Sequence, residues 1–459
     1  MTDAVIASPR AFVVRWRDLD RWVVPSCSIL SRRLPAGWRL SRVGDLVTHV
    51  SNAVKVQPAA EYKMAGVKWY GEGVFHRETV KGDEISSRWI SPLVQGTLIY
   101  NRLFAWKASF AVVPPDLAEC YVSNEFPQFI PDPAQLLAEY LYLWCISVQT
   151  IKAVNATSAG SAAVSRNRFR EKFFLDFEMP LPPLPVQRKI VAAWEAARKD
   201  AAATAEKIAR LEHDIEAEFL DAIGIRIEAP MSVRGALVID WSEFERWDFF
   251  YYRFDFLALE RCLDSVETTT LSEGLRFASR GWRRSDFPQG MFRYVEISNV
   301  TKAEGIKGAR LLCVDKAPSR ATTMIRAGDL IIGTTRPYLG AFATVPDEYD
   351  GCICSSGFAL CTGMRRDDLL LPFVLEFLKS PAGLRQMERR MTGGMYPAIT
   401  QDELEKVRVP VPPLSVQRQI VERIAKRRGE IAMLKADAQS RADAAKADVE
   451  AMILGTKQI

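Results

Sequence analysis

The residues Met179-Pro-Leu-Pro-Pro-Leu-Pro-Val-Gln-Arg-Lys-Ile-Val191 recur 230 positions later as Val409-Pro-Val-Pro-Pro-Leu-Ser-Val-Gln-Arg-Gln-Ile-Val421. Each copy runs directly into a long stretch rich in alanine and charged residues, which is typical of a helix. Prolines cannot sit inside a helix, but they stiffen the segment that leads into it. A proline-rich lead-in followed by a helix, made twice, indicates a tandem duplication.

The duplication extends over most of the chain, with halves at roughly 11–224 and 236–455. Residues 11–22 align with residues 236–247, and residues 96–126 align without a gap with residues 328–358. The second of these alignments has a shift of 232 positions, and at the same shift we also align Tyr62 with Tyr294. The matched residues are mostly glycines, prolines and aromatics of the kind that build a scaffold, whereas the polar residues between them differ. This pattern indicates one fold made twice, with two different working surfaces.

The two helical segments carry residues at alternating steps of three and four, which is the spacing of a coiled-coil seam. The predicted seam comprises Ile190, Trp194, Ala197, Ala201, Thr204, Ile208, Leu211 and Ile215 in the first segment, and Ile420, Ile424, Arg427, Ile431, Leu434, Ala438, Arg441 and Ala445 in the second. We expect the two arginines to fix the register and Gly224 and Gly455 to end the helices. About 38 residues would make a rod of roughly 55–60 Å. The alternative is two ordinary long core helices.

The remaining sequence predicts a mixed α/β fold. Short apolar runs interrupted by Gly, Pro and Asn predict strands. The predicted strands are Gly96 to Tyr100, Phe110 to Val113, Phe292 to Ile297, Leu330 to Ile332, Ala341 to Val345 and Gly357 to Leu360, and the shorter predicted helices are Ala134 to Val148 and Asp368 to Lys379.

Basic and aromatic residues alternate on the predicted loops, together with glycine-rich turns that allow close approach to a phosphate. These residues form our predicted DNA contacts, namely Lys63, Lys68, Trp69, Lys107, Ser161, Arg283, Arg284, Thr335, Arg336, Tyr338, Gly394 and Tyr396. For any one of them the alternative is an ordinary solvated surface side chain. The occurrence of such clusters at equivalent places in both halves favours nucleic-acid binding.

Composition and missing motifs exclude several classes of function. The chain is 48% hydrophobic and 25% charged, as in soluble globular proteins, and its apolar runs are far shorter than the ~18 residues of a membrane span. The N-terminus does not resemble a signal peptide, and eight scattered cysteines without a Cys-x-x-Cys pair predict reduced thiols in the cytoplasm. The net charge of +5 permits a polyanionic partner.

Catalytic signatures are also missing. The three histidines are too far apart in sequence to suggest a metal pair, and no Gly-Lys-Ser/Thr phosphate loop is present. The Asn/Asp-Pro-Pro-Tyr/Phe tetrad that holds a target adenine in amino-methyltransferases is missing too. We therefore expect a chain that is not an enzyme and binds no cofactor of its own.

The doubled motif resembles that of the specificity (S) subunits of Type I restriction–modification systems, and the resemblance covers essentially the whole chain. The second copy also shows the lead-in Gly393-Gly394…Ile399-Thr-Gln-Asp-Glu-Leu404, whereas the first copy departs from it at Val164 to Phe169. Val186 and Val416 stand where a glutamate is usual. The resemblance implies target recognition domains at 1–182 and 226–412 and conserved spacer helices at 183–225 and 413–459, which form an antiparallel coiled coil with pseudo-twofold symmetry.

The same resemblance implies the partners. Each domain would read one part of a split, asymmetric target in double-stranded DNA, and the coiled coil would dock two methyltransferase subunits that hold S-adenosylmethionine. A motor-nuclease restriction subunit can join such a complex. We expect apolar patches near Ile223, Met433 and Met452 to meet the methyltransferase subunits. The alternatives are a coiled-coil scaffold that does not read DNA and, less favoured by the motifs, a fused methyltransferase or nuclease.

Overall fold

The computed structural model describes residues 34–158, 168–226, 239, 241, 244–393 and 396–458. Contacts divide the chain into two compact units, which we call unit 1 (Met1–Ala203 with Asp437–Ile459) and unit 2 (Thr204–Ala436). Of the predicted DNA contacts, Ser161 and Gly394 lie outside the described residues, as do residues 11–22 of the aligned N-terminal stretch.

Unit 1 is built from three sheets with short helices between them. A two-stranded sheet joins Arg39–Arg42 to Glu178–Leu181. A four-stranded sheet has the order Val47–His49, Gln128–Pro131, Leu98–Tyr100, Phe110–Val112, and a five-stranded sheet has the order Val54–Lys55, Trp89–Pro92, Tyr121–Val122, Glu61–Val67, Val74–Lys81. The short helices are Ala138–Cys145, Val148–Ser158 and Glu171–Leu175.

Unit 2 has the same plan. A two-stranded sheet joins Thr268–Thr270 to Arg408–Pro410, and a small hairpin joins Val300–Thr301 to Gly305–Ile306. One four-stranded sheet has the order Leu275–Ala278, Phe358–Met364, Leu330–Gly333, Phe342–Thr344, and the other has the order Arg310–Cys313, Met291–Val295, Ile353–Ser355, Ala321–Met324. Its helices are Phe254–Asp264, Leu271–Gly274, Leu371–Lys379, Pro381–Arg390 and Gln401–Glu405.

Strand register shows that the two units repeat one fold. In unit 1 Leu98 pairs with Val112, and in unit 2 Leu330 pairs with Thr344, so both partners are displaced by 232 positions. The mixed α/β class and the predicted strands and short helices are confirmed, and most ends agree within two residues. The exceptions are the strand Phe358–Met364, which continues four residues further than predicted, and the helices Ala138–Cys145 and Leu371–Lys379, which begin four and three residues later, the first also ending three residues earlier.

One predicted correspondence is wrong. Parallel pairing places Met64 opposite Tyr121, and it places Tyr294 opposite Ile353, which is the counterpart of Tyr121. Tyr294 therefore occupies the position of Met64, two residues beyond Tyr62. Both tyrosines are buried aromatic residues, and this likeness led to the wrong match. The second half has two more residues than the first between these paired strands, so the correct counterpart of Tyr294 is Met64.

The two long helices begin inside the repeated motifs, directly after the Pro182-Pro183 and Pro412-Pro413 pairs. The first long helix is Leu184–Ala222 and the second long helix is Leu414–Ile453. Each is followed within two residues by a glycine with positive φ, Gly224 at 75° and Gly455 at 66°. This left-handed conformation is the usual one for a glycine that ends a helix, as the sequence predicted.

The two long helices pack together antiparallel. In unit 2, Arg427 contacts Glu218 at 2.6 Å and Lys435 contacts Glu212 at 2.9 Å. Residue numbers therefore rise along one helix while they fall along the other. In unit 1, Arg441 contacts Asp200 at 2.6 Å. Both arginines of the predicted seam are therefore paired across the seam. Each of these half-exposed ion pairs contributes little to stability. Together they disfavour other registers of the two helices, in which these charges would lose their partners.

Seam residues enter the core of each unit. Those of unit 2 are Ile208, Leu211, Ile215, Ile420, Ile424 and Ile431. Those of unit 1 are Ile190 and Trp194, which pack in the same cluster as Val449 and Ile453. Leu434 is half-buried, whereas Ala201 is exposed.

The predicted docking patch near Ile223 is wrong, because this side chain is buried in the core of unit 2. Met452 is partly buried against the core of unit 1, so of the three only Met433 is fully available, with 75% of its surface exposed. Within the described part of the chain, no helix has the length and apolarity to cross a membrane.

Candidate nucleic-acid interface

In unit 2 the structure brings two distant loops together around Arg336. Thr335 forms a bridge with Ala398, and the Arg336 amide donates to the carbonyl of Pro397 at 2.8 Å. The Arg336 guanidinium then lies 5.8 Å from the ring centre of Tyr396. We call Thr335, Arg336, Tyr338 and Tyr396 the Arg336 cluster.

The backbone projects the Arg336 cluster outward. Arg336 has a φ of 48°, a left-handed conformation that is costly for a residue other than glycine. Buried Pro337 begins a short 3₁₀ turn directly after it, and Gly340 ends that turn. Tyr396 is 73% exposed and Tyr338 is 41% exposed. Aromatic rings next to a free guanidinium can stack on bases or contact phosphates.

Buried ion pairs hold the loop behind this cluster. Arg390, at the end of the helix that leads into it, donates to Glu403 at 3.2 Å, and Arg246 contacts the same carboxylate at 2.8 Å. Arg389 lies 4.0 Å from the Tyr251 ring and contacts Glu260 at 2.6 Å. These arginines are therefore part of the scaffold.

Electrostatics distinguish Arg336 from the arginines beneath it. Burial acts to raise the pKa of the Glu403 carboxyl, but the hydrogen bond from Lys406 and the charge of Arg246 hold that pKa below its ordinary value. Glu403 thus remains a counterion for the buried guanidinium groups. Arg336, in contrast, has no carboxylate partner within the described ranges, and it is exposed. Its charge is available to a ligand.

The corresponding surface of unit 1 has a different chemistry. Phe104 occupies the position of Arg336, and Lys107 Nζ lies 3.5 Å from the Trp69 ring centre and 5.1 Å from that of Trp106. Trp69 and Phe104 are 5.2 Å apart. We call Trp69, Phe104, Trp106 and Lys107 the Trp69 cluster. It offers one ammonium over aromatic faces where unit 2 offers a guanidinium.

The remaining predicted contacts are not brought into these clusters. Lys63 pairs with Glu119 at 2.8 Å, which raises the pKa of Lys63, and it lies six residues away from Trp69 along an extended strand. Lys68 lies beside the Trp69 cluster, with its Nζ 6.0 Å from the Phe75 ring. Each stays a prediction.

Arg283 and Arg284 are exposed on a separate turn of unit 2. Arg284 contacts Asp315 at 2.9 Å, and both side chains remain about three-quarters exposed. Neighbouring Trp282 packs in the core and donates to the Ala321 carbonyl at 2.8 Å. Arg280 pairs with Asp329 at 2.5 Å. The turn therefore presents two arginines, whereas the neighbouring Trp282 and Arg280 support the fold.

Sequence reasoning missed the contact between Arg336 and Tyr396, which are 60 positions apart. The bridge between Thr335 and Ala398 brings these two residues together, and no local sequence pattern predicts that bridge. The described residues contain no group of three His, Cys, Asp or Glu side chains arranged to hold a metal ion, and the seven described cysteines are unpaired.

Residues 35–213 and 289–435 match the family model of the Type I restriction modification DNA specificity domain. No curated protein matches the sequence at a significant level. Among solved structures, one described as "Structural basis underlying complex assembly and conformational transition of the type I R-M system" has a TM-score of 0.55 at 19% identity, covering 92% of this chain and 98% of its own. At this level of identity the likeness shows a shared fold and nothing more.

Two further solved structures align over similar lengths. The HsdS subunit from Thermoanaerobacter tengcongensis is 18% identical with a TM-score of 0.42, covering 93% of this chain and 99% of its own. The Type-I restriction-modification system S subunit from M. genitalium is 14% identical with a TM-score of 0.43, covering 92% and 97%.

Proposed function

Since the chain belongs to the family of Type I restriction–modification DNA specificity proteins, we propose that it is the specificity subunit of such a complex and reads an asymmetric, bipartite target in double-stranded DNA. The observation that carries this proposal is the pair of unlike clusters at the same place in two copies of one fold. Arg336 stands in unit 2 where Phe104 stands in unit 1. Because unlike side chains recognise unlike bases, the two half-sites should differ.

The two clusters have the chemistry that such reading requires. Affinity for DNA comes mostly from cationic contacts to phosphates, and specificity comes from contacts to base edges. Arg336 can donate two parallel hydrogen bonds to a guanine edge, whereas Lys107 presents a single charge surrounded by aromatic rings. We infer that unit 2 reads its half-site through Arg336 and that unit 1 relies on the Trp69 cluster.

The chain would contribute recognition, and its partners would contribute catalysis. We propose that two methyltransferase subunits, carrying S-adenosylmethionine, dock along the paired long helices, and that a restriction subunit can join them. Exposed Met433 on the second long helix is a candidate contact. Such a complex would work in the cytoplasm, where the chromosome lies.

The test is to co-express the chain with the methyltransferase subunit of the same restriction–modification system and to map methylated adenines in the genome. We expect one split motif with two different half-sites and an unspecified spacer of constant length. Methylation without a split motif, or no methylation with a well-folded complex that fails to bind DNA, would instead favour the coiled-coil scaffold.

A variant pair sharpens this test. Arg336→Ala should change only the half-site read by unit 2, and Lys107→Ala should affect only the other. If each variant altered both half-sites equally, the assignment of one half-site to each unit would be wrong.

A further inference from the structure

Unit 2 contains a cavity of about 400 Å³ beside the long helices, separate from the Arg336 cluster. Its apolar wall is formed by Ile215, Phe219, Ile424 and Ile431, all buried. The loop around Ala303 and the C-terminal end of the helix Leu371–Lys379 complete the lining. This volume is in the range of sites for small organic molecules.

Most of the charges around this cavity neutralise one another. The pairs are Lys302 with Glu216 at 2.5 Å, Lys435 with Glu212 at 2.9 Å, Arg428 with Glu376 at 2.5 Å, and Lys307, just outside the lining, with Glu304 at 2.8 Å. The second Arg428 nitrogen also contacts Glu376, at 2.6 Å, so this pair is bidentate. The acidic lining residues therefore have cationic partners already.

Lys379 is the exception. It is only 5% exposed and lines the cavity, yet its ammonium has no hydrogen-bond or ion-pair partner among the described residues. Its pKa is lowered to about 8, mainly by burial and further by the positive charges of Arg428 and Lys302, while the charge of Glu376 partly opposes this shift. An unpaired buried ammonium is costly, and an anion beside it would remove much of that cost.

The equivalent place in unit 1 is built differently. There the cavity beside the first long helix measures about 130 Å³, and it is lined by Trp194, the counterpart of Ile424. The amides of Leu137 and Leu370 donate to equivalent glutamines, so these two leucines align the short helices of the two units. In this alignment Ile146 takes the position of Lys379. The larger cavity and its lysine are thus features of unit 2 and are not required by the shared fold.

We propose that the unit 2 cavity is a binding site for a monoanionic ligand, a carboxylate carried on a compact apolar body, with Lys379 as the group that receives the carboxylate. One unpaired cation matches one negative charge. A dianion such as a phosphate ester would face the glutamates of the lining with no second free cation. The apolar wall of Phe219 and the three isoleucines favours a hydrocarbon chain or ring.

The carboxylate can come from a free metabolite or from an acidic side chain or C-terminus presented by a protein partner. Both sources share the recognition chemistry, and one experiment can separate them. Hexanoate serves as the probe, and hexanol serves as its uncharged match. The readout is the rate at which an amine reagent labels Lys379 in the full-length protein, measured by mass spectrometry from pH 6 to 10.

We expect saturating hexanoate to slow the labelling of Lys379 by roughly tenfold and to move the midpoint of its pH profile up by about one unit, because a nearby carboxylate favours the charged amine. Hexanol should do neither, and labelling of Lys446, which is exposed and does not line the cavity, should not change. A Lys379 rate that hexanoate and hexanol affect equally would overturn the proposal.

Two variants provide independent controls. Lys379→Met should abolish the calorimetric signal of hexanoate binding. Ile424→Trp keeps the lysine but places the unit 1 residue in the cavity, and it should weaken hexanoate at least about tenfold. Unchanged hexanoate binding in both variants would show that the ligand binds elsewhere.

The complex with methyltransferase subunits identifies the source. If a partner supplies the carboxylate, Lys379 should be protected in the complex alone, and hexanoate, but not hexanol, should compete with the partner. If the source is a free metabolite, Lys379 should remain reactive in the complex until hexanoate is added. Protection that hexanoate cannot compete away would count against carboxylate recognition. None of these readouts depends on DNA binding, so the two proposals can fail separately.

Discussion

Gln187 and Gln417 occupy the same buried position in the first turn of the two long helices and make the same three hydrogen bonds. Gln187 accepts from the Leu137 amide at 2.9 Å and donates to the carbonyls of Gln135 and Pro182. Gln417 accepts from the Leu370 amide at 2.9 Å and donates to the carbonyls of Asp368 and Pro412. Each glutamine thus fastens a long helix to the segment before a short helix of its own unit.

Replacing either glutamine should destabilise its unit. In Gln417→Ala, one amide and two carbonyls lose their side-chain partner, and we expect a loss of about 3 kcal/mol in the free energy of unfolding. Gln417→Glu keeps the shape but cannot donate, so it should be no better near neutral pH. Denaturant unfolding measures both, with Gln439→Ala on the exposed face of the second long helix as control. Equal stability of Gln417→Ala and this control would contradict the structural role.

Arg336→Ala should impair recognition of one half-site. If Arg336 reads a guanine edge, the variant should lose ~1–3 kcal/mol of binding free energy and relax specificity at one base pair. If it contacts phosphate alone, affinity should fall evenly across sequences and the salt slope should fall by about one. Equilibrium binding of the methyltransferase complex to a panel of duplexes separates the two outcomes.

The matched control for this variant is Arg326→Ala. Arg326 precedes the strand Leu330–Gly333 and pairs with Asp350, whereas Arg336 follows that strand. We expect Arg326→Ala to bind DNA like the parent. If Arg336→Ala also bound and methylated normally with its fold intact, Arg336 would be an ordinary surface residue.

Shortening the long helices should shorten the preferred spacer of the target. Deleting seven residues around Asp200 and seven around Arg441, which are paired, removes about 10 Å of helix, or about three base pairs of DNA. Adenine methylation mapped in cells should then show the same half-sites with a shorter spacer. A retained spacer in a folded complex would show that helix length does not determine it.

Lys379 should make stability depend on pH in the alkaline range. Its pKa is about 8 in the folded chain, against an ordinary value of 10.5. Below pH 8 both folded and unfolded chains hold the proton, and the folded chain bears the full cost of burial. Between pH 8 and 10.5 the folded chain has released the proton while the unfolded chain retains it, so the contribution of Lys379 to stability rises with pH.

Lys379→Met should therefore be more stable than the parent at pH 7, by up to about 3 kcal/mol, and this advantage should shrink as the pH approaches 10. Denaturant titrations of the two proteins at each pH measure the difference in their free energies of unfolding. Groups that titrate alike in both proteins do not contribute to this difference. An advantage that stayed constant from pH 7 to 10 would mean that the Lys379 amine does not titrate in this range.

Local sequence patterns predicted most of the scaffold. The seam spacing identified Ile190, Ile215 and Ile424 as core residues, and the glycines at 224 and 455 end the helices. These features could be predicted because each depends on neighbours within one or two helical turns. The match of Tyr62 to Tyr294 was wrong because strand register is determined across the sheet, by Tyr121 and Ile353.

Burial contributed by distant segments could not be predicted. Lys379 ends a short helix, where a lysine usually reaches solvent, and it is buried among residues from the long helices and the loop at Ala303. Ile223, at the end of a charged helix, similarly enters a core that other segments of unit 2 complete. The Arg336 cluster was predicted as residues, but the packing of Tyr396 against Arg336 depends on a bridge between loops.

The shared cluster of Ile190, Trp194, Val449 and Ile453 has a consequence for synthesis on the ribosome. Trp194 emerges roughly 260 residues before its core partners at the C-terminus, a delay on the order of tens of seconds at ~5–20 residues per second. Throughout that interval the nascent first unit presents an apolar helix face without its cover. The yield of folded protein should therefore depend on the translation rate and on the supply of chaperones.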